Sequence, residues 1–157
     1  MIQESLAVRL RSRLAHFAFR ILRPMTLGVR ALILDADDRV FLVRHSYVPG
    51  WHLPGGGVEA GETLVSSLER EVREEANIEM AGPAQLLGVY FNNKSSRRDH
   101  VAIYVVRDYR LLGPRAADWE IVEARFFARD ELPADTSEAT RARLAEALDG
   151  VAVSPFW

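Results

Sequence analysis

The sequence predicts a domain of the α+β or α/β class built on a mixed β-sheet, and three observations carry that prediction. Runs rich in β-branched and aromatic residues lie both before and after one central helical stretch. No period of roughly 20 to 50 residues repeats, and no stretch is low in complexity. The 157 residues, 48% hydrophobic and 27% charged, suffice for one soluble domain that buries roughly two thirds of the surface its unfolded chain exposes. The simplest division is an N-terminal extension over residues 1–24, a domain over 25–150 and a tail over 151–157.

In the extension, Leu6, Leu10, Leu14, Phe17 and Ile21 recur at helical spacing, and Pro24 ends the stripe. Such a basic amphipathic helix packs on its own domain or a partner subunit, or lies on an anionic membrane; the first is the commoner use. Val29 to Leu34 and Val40 to Val43 read as strands around the turn Asp35-Ala36-Asp37-Asp38. Trp51 to Leu53 is a short strand candidate closed by Pro54 and three glycines. Leu64 to Ala76 is helical, with Leu64, Leu68, Val72 and Ala76 on the apolar arc. Leu86 to Phe91 and His100 to Val106 are strands joined by a polar loop, Glu123 to Ala128 is another, and Ser137 to Leu148 is a closing helix. Phe156 and Trp157 either dock on the domain or a second subunit, or fray; a homodimer is thus one open arrangement.

Zero cysteines exclude a disulfide scaffold, a thiolate zinc site and a thiol nucleophile, and a reduced, cytoplasmic setting is expected. No run approaches the roughly 18 to 20 apolar residues that span a bilayer, and no membrane partner is expected. The net charge of -2 gives no sign of a DNA-binding protein. It is nevertheless a cancellation: residues 1–30 hold six Arg and one acid, whereas residues 58–80 hold seven Glu and two Arg.

Those acids carry the chemistry. Glu71, Glu74 and Glu75 stand at i, i+3 and i+4 and fall within an arc of about 100°. Each like-charge neighbour costs about 0.2 to 0.5 kcal/mol in an isolated helix. Glu74 and Glu75 also sit in the last turn, where the macrodipole disfavours anions by roughly 0.3 to 1 kcal/mol. The run is either a solvated acidic face or a site in which a divalent cation removes the conflict, clustered carboxylates and carbonyls being the oxygen ligands that Mg²⁺ or Mn²⁺ prefers.

Gly56, five residues, Glu62, seven residues, then Arg70-Glu71-Val72-x-Glu74-Glu75-x-Asn77-Ile78 resembles the signature of the Nudix hydrolase family, with eight fixed or class-restricted positions over 23 residues. The resemblance extends over roughly Leu27 to Leu148. One position departs: Asn77 stands where the family usually has glycine. Asn is the next most tolerant residue in a left-handed cap, so the cap is expected to survive.

The resemblance implies an α/β/α sandwich, a mixed sheet between helices, and hydrolysis of a nucleoside diphosphate linked to another moiety by water attacking phosphorus. It implies Glu71 and Glu75 as principal Mg²⁺ ligands (Mn²⁺ in its place), Glu74 sharing the site, the Gly55 carbonyl as a further ligand, and Glu62 and Arg70 orienting the carboxylates. Glu71, Glu74 or Glu120 would take the proton of the attacking water. Glu120 lies where some relatives place an additional metal-binding acid, and Glu123 competes with it.

On the substrate side, Gly56 and Gly57 let backbone approach metal and phosphate, Arg44 and Arg97 are candidates for phosphate, and Trp51 is the choice to stack on a base, although large aromatics are more often core. His45, His52 and His100 lack a paired metal-ligand spacing or a nearby nucleophile and are assigned no role. The substrate is a (deoxy)nucleoside triphosphate or an ADP-ribose-like nucleotide sugar. A noncatalytic nucleotide-binding module, or a hydrolase of RNA 5′ ends, are the other readings.

Overall fold

The computed structural model describes residues 24–157; the amphipathic stripe expected before Pro24 lies outside the described residues. Among the described residues, seven strands and two α-helices follow in chain order: β1 (Thr26–Ile33), β2 (Val40–His45), α1 (Leu64–Ala76), β3 (Ile78–Met80), β4 (Gln85–Phe91), β5 (Asp99–Val106), β6 (Tyr109–Leu111), β7 (Ile121–Phe127) and α2 (Glu138–Leu148). The sheet is mixed. β1 runs parallel to β5, which pairs antiparallel with β4, while β2 pairs antiparallel with β7 and β3 with β6.

Alternation along β1 explains the layering, since successive side chains of a strand point to opposite faces. Val29, Ala31 and Ile33 join Leu68, Val72 and Ala76 of α1 in one core. Leu32 and Leu34 join Leu144 of α2 in the other. β1 therefore buries both faces, one under each helix, and the architecture is α+β in α/β/α layers.

Two expectations are refined. Trp51 to Leu53 forms only isolated bridges, to Thr136 and Val43, because its continuation peels away to line β1. β3 and β6, three residues each, were not foreseen. The segment 151–157 docks: the Phe91 amide donates to the Pro155 carbonyl at 2.8 Å and the Trp157 amide donates to the Phe91 carbonyl at 3.1 Å. Among the described residues, no helix is long and apolar enough to cross a membrane.

Candidate active site

The site is assembled where the loop after Trp51 crosses β1 and enters α1. Backbone amides of Val29 and Ala31 donate to the carbonyls of Gly56 (2.9 Å) and Pro54 (2.8 Å), and the Val58 amide donates to the Leu27 carbonyl at 2.9 Å. The loop is thereby held against β1 like a short extra strand, in a pairing that does not use the Gly55 carbonyl. Gly55 has φ 139°, and a Cβ there would overlap the Val29 carbonyl oxygen and lie 2.8 Å from the Arg30 Cα. Only glycine fits. A Cβ at Gly56 would collide with the Glu71 carboxylate, so the bare backbone makes room for that acid beneath the loop.

α1 opens on a reciprocal cap. The Thr63 hydroxyl accepts from the Ser66 amide at 3.0 Å, and the Ser66 hydroxyl accepts from the Thr63 amide at 2.9 Å. It closes on Asn77 in the left-handed conformation (φ 53°, ψ 42°), whose amide donates to the Arg73 carbonyl at 3.1 Å. The expected cap thus exists without glycine, and the Asn77 side chain adds a 3.2 Å hydrogen bond to the Gly113 carbonyl.

With both ends set, the helix turns its acids unequally. Glu71 and Glu75 are buried, at 9% and 5% exposure, whereas the Glu74 side chain is 61% exposed. Glu71 and Glu75 lie one turn apart on the inner line, and Glu74 is rotated about 100° from Glu75, onto the rim. Arg70 gathers the outer acids. It donates to both Glu62 oxygens (2.8 and 3.0 Å), to Glu71 (2.7 Å), to Glu74 (3.5 Å) and to the Gly57 carbonyl (3.2 Å), the fork geometry that suits Arg to several oxygens at once. These contacts hold the Glu62 carboxyl down to about 2. Burial raises Glu71 above the ordinary carboxylate range, and Arg70 only partly offsets it.

Glu75 is placed differently. Its one hydrogen bond among the described residues comes from the Gly55 amide at 2.8 Å. Burial pushes its pKa up to about 7, against the pull of that amide and of Arg30. Beside it stands His45, whose Nε2 lies 3.6 Å from Glu75 Oε1. Ligand atoms of His45, Glu75 and Glu120 all lie within 4.8 Å of one another. Burial, with Arg30 and His52 nearby, lowers the His45 pKa to about 4, so the imidazole is neutral.

Glu120 reaches this point because the Ser46 amide donates to its carbonyl at 2.9 Å and β7 carries an irregularity opposite the Arg44/His45 step, a bend of the kind that re-aims side chains beside functional sites. Its carboxylate accepts from the Tyr47 hydroxyl at 3.3 Å. Glu123 is engaged elsewhere, by Arg44 at 3.3 Å and Arg125 at 3.0 Å. Between the two competing acids, geometry puts Glu120 with Glu75.

The substrate-side expectations fare unevenly. Trp51 is 5% exposed and packs edge-on against Phe127 at 4.7 Å; it is a core residue, not an open stacking platform, because the bridge to Thr136 draws it under α2. Arg44 is tied to Glu123 and lies over the Trp51 ring, 5.7 Å from its centroid. Arg97 is exposed in the loop before β5. One residue was missed, and another, assigned no role from the sequence, stands beside the acids. Arg30 sends its guanidinium to the Leu53 carbonyl at 3.1 Å and bears on Glu71, Glu75 and His45. His45 extends the inward alternation of Phe41 and Val43, and that period-2 pattern was the available signal.

The site fits a divalent cation. It offers the oxygen donors of Glu75 at the Gly55 amide, Glu71 beneath Gly56 and Glu120 beside Glu75, and Glu75 is buried outside any Lys or Arg ion pair among the described residues.

Fold and site define a class first: an α/β/α domain whose glycine loop and following helix shape an acidic pocket able to hold metal. The chain belongs to the Nudix family, a sequence model of the NUDIX domain matching residues 24–148. It is 34% identical over 110 residues to the 8-oxo-dGDP phosphatase NUDT18 of Homo sapiens, an alignment covering 67% of this chain and 33% of that protein. The ADP-ribose pyrophosphatase of Methanocaldococcus jannaschii is 33% identical over 104 residues, covering 64% of this chain and 61% of that protein. The crystal structure of the MutT NUDIX hydrolase from Burkholderia pseudomallei superposes with a TM-score of 0.65 at 27% identity, covering 76% of this chain and 95% of that one. The alignments span 33% and 61% of the two curated relatives' lengths.

Proposed function

We propose that this chain is a Mg²⁺- or Mn²⁺-dependent hydrolase of a nucleoside diphosphate linked to another moiety, working in a reducing cytoplasm. The observation that carries the reading is the placement of Glu71 beneath Gly56 and of Glu75 on the Gly55 amide, with a Glu120 oxygen within 4.8 Å of Glu75 and Glu75 buried outside any Lys or Arg ion pair among the described residues. Both curated relatives are named for nucleoside diphosphate derivatives, 8-oxo-dGDP and ADP-ribose, which supports the substrate class.

A bound divalent cation would screen phosphate charge and acidify the attacking water. The protein's own residues do the rest. Glu71, Glu75, Glu120 and the Gly55 carbonyl would hold the ion, and Arg70, braced by Glu62, fixes the Glu71 carboxylate so that little order is lost on binding. The water's proton needs a carboxylate acceptor within hydrogen-bond reach. Glu71 and Glu120 stand inside the site, while Glu74 lies at its solvent edge.

Substrate has a place to lie. A groove of about 320 Å³ runs from Gly57 past Arg30 and Thr26 to Asn92, Asp99 and Trp157, within the size range of ligand clefts. Arg30 would face phosphate, and Trp157 supplies the aromatic wall that Trp51 does not.

The test is a panel of (deoxy)nucleoside triphosphates, ADP-ribose-like sugars and 5′-triphosphorylated RNA, with Mg²⁺ or Mn²⁺ and both products identified. The expected result is cleavage of a pyrophosphate bond in at least one small nucleotide. Binding without turnover across the panel would favour a regulatory module, and turnover of RNA alone a 5′-end hydrolase.

A further inference from the structure

We propose that His45 is a nitrogen ligand of the divalent cation held by Glu75 and Glu120, and that it biases this site toward first-row transition ions over Mg²⁺. The proposal rests on the reading of the acidic pocket as a metal site and assigns it a ligand of a different chemical kind.

Two observations support it. The imidazole is 7% exposed, yet its Nδ1 is buried with no hydrogen-bond partner, and Nε2 faces Glu75 Oε1 at 3.6 Å. Nε2 is the nitrogen turned to the carboxylates, and 3.6 Å is too long for a hydrogen bond, so none competes there with an ion. Next, the donor atoms of His45, Glu75 and Glu120 fall within 4.8 Å of one another. With ligand distances of about 2.1 Å, cis donors of an octahedral ion are about 3 Å apart and trans donors about 4 Å, so small side-chain shifts would bring all three onto one ion.

The chemical consequence concerns selectivity. Mg²⁺ binds oxygen donors and gives up its water reluctantly. Imidazole suits later, softer divalent ions. A site with two carboxylates and an imidazole should therefore hold Mn²⁺, Co²⁺ or Zn²⁺ more tightly, relative to Mg²⁺, than one made of oxygen alone. The imidazole also has a place in the fold that a mere packing group would not need. It ends β2 on the inward face, where Phe41 and Val43 precede it with apolar side chains.

The direct experiment is electron spin echo spectroscopy of the protein loaded with one equivalent of Mn²⁺. Wild type is expected to show nitrogen modulation from a coordinated imidazole. His45→Gln should abolish it and His52→Gln should retain it. In competition titrations, His45→Gln should weaken Mn²⁺ about tenfold or more while changing Mg²⁺ by less than about threefold. The wild-type spectrum stands even should His45→Gln fold poorly, which circular dichroism would reveal. Bound Mn²⁺ without nitrogen modulation overturns the ligand assignment and leaves the metal site intact. Modulation lost only in His52→Gln transfers the role to His52. No stoichiometric Mn²⁺ binding overturns both this proposal and the reading beneath it.

Discussion

Glu75 and Glu146 are both carboxylates buried in this small domain, at 5% and 8% exposure, and the protein treats them in opposite ways. Glu146 accepts from Arg143 at 2.8 and 2.7 Å, from the Tyr90 hydroxyl at 2.7 Å and from the Ser154 amide at 2.9 Å. Burial pushes its pKa up, but Arg143, Ser154 and Tyr90 more than offset this and leave it below the ordinary value. Arg143 in turn lies over the Tyr90 ring, 3.9 Å from its centroid, and donates to the Phe156 carbonyl at 3.3 Å. Glu75 has one amide and a neutral imidazole for company, and its pKa is driven up to about 7. A carboxylate buried for structure brings its own counter-ion. Glu75, buried without such a partner, is left short of positive charge, which a cation would supply on the reading proposed above.

The largest expected effect breaks the satisfied side. Arg143→Met strands a buried carboxylate and should cost about 3 to 5 kcal/mol in urea unfolding, with metal affinity unchanged in whatever fraction remains folded. On the unsatisfied side, Glu75→Gln should lower turnover by about 100-fold or more through lost metal binding without destabilising the metal-free protein at pH 8. A large loss of metal-free stability there would erase the contrast.

Acidity sharpens the comparison further. The folded pKa of Glu75, about 7, lies above the ordinary 4.5. The folded protein thus keeps a proton that the unfolded chain releases, and the Glu75 contribution to stability falls as pH rises from about 4.5 through 7. His45 does the reverse. Its folded pKa of about 4 lies below 6.5, so its contribution rises across that window. Each is worth about 3 kcal/mol, and together they nearly cancel in the metal-free wild type between about pH 4.5 and 6.5. In chelator, the stability of Glu75→Gln relative to wild type should climb with pH over this range, and that of His45→Gln should fall; parallel curves for all three proteins would disprove the assignment.

Smaller effects follow at the edges of the site. Trp157→Ala should raise the KM for nucleotide about tenfold, a modest stacking loss, with kcat nearly constant. Asn77→Gly exchanges one tolerated left-handed residue for another at the cost of the bond to Gly113, and should change stability by less than about 1 kcal/mol with activity intact.

Much of this was legible in the sequence where one local pattern decided the outcome. α1 was placed at its true limits because its apolar arc and the order of its acids both follow one helical period. The two cores could be anticipated from strands without polar alternation. β3 and β6 are too short to show any period, so only the pairing between them defines them. The burial of Trp51 and the closeness of His45 to Glu75 were not legible for one shared reason: a strand sequence shows that two side chains lie on the same face but not what covers that face. Glu74 needed the finer distinction between sharing an arc and sharing a depth.

The docked segment 151–157 has a consequence for how the molecule behaves among its own copies. β4 lies at the edge of its sheet, and Leu86 and Val89 on it are exposed. An open edge of that kind is a template for pairing with a neighbour. The amide and carbonyl of Phe91 are already taken by Pro155 and Trp157, so the strand ends under a cover that Arg143 and Glu146 lock from inside. The ion pair that gives Glu146 its counter-charge therefore also holds the segment that closes one end of the β4 edge.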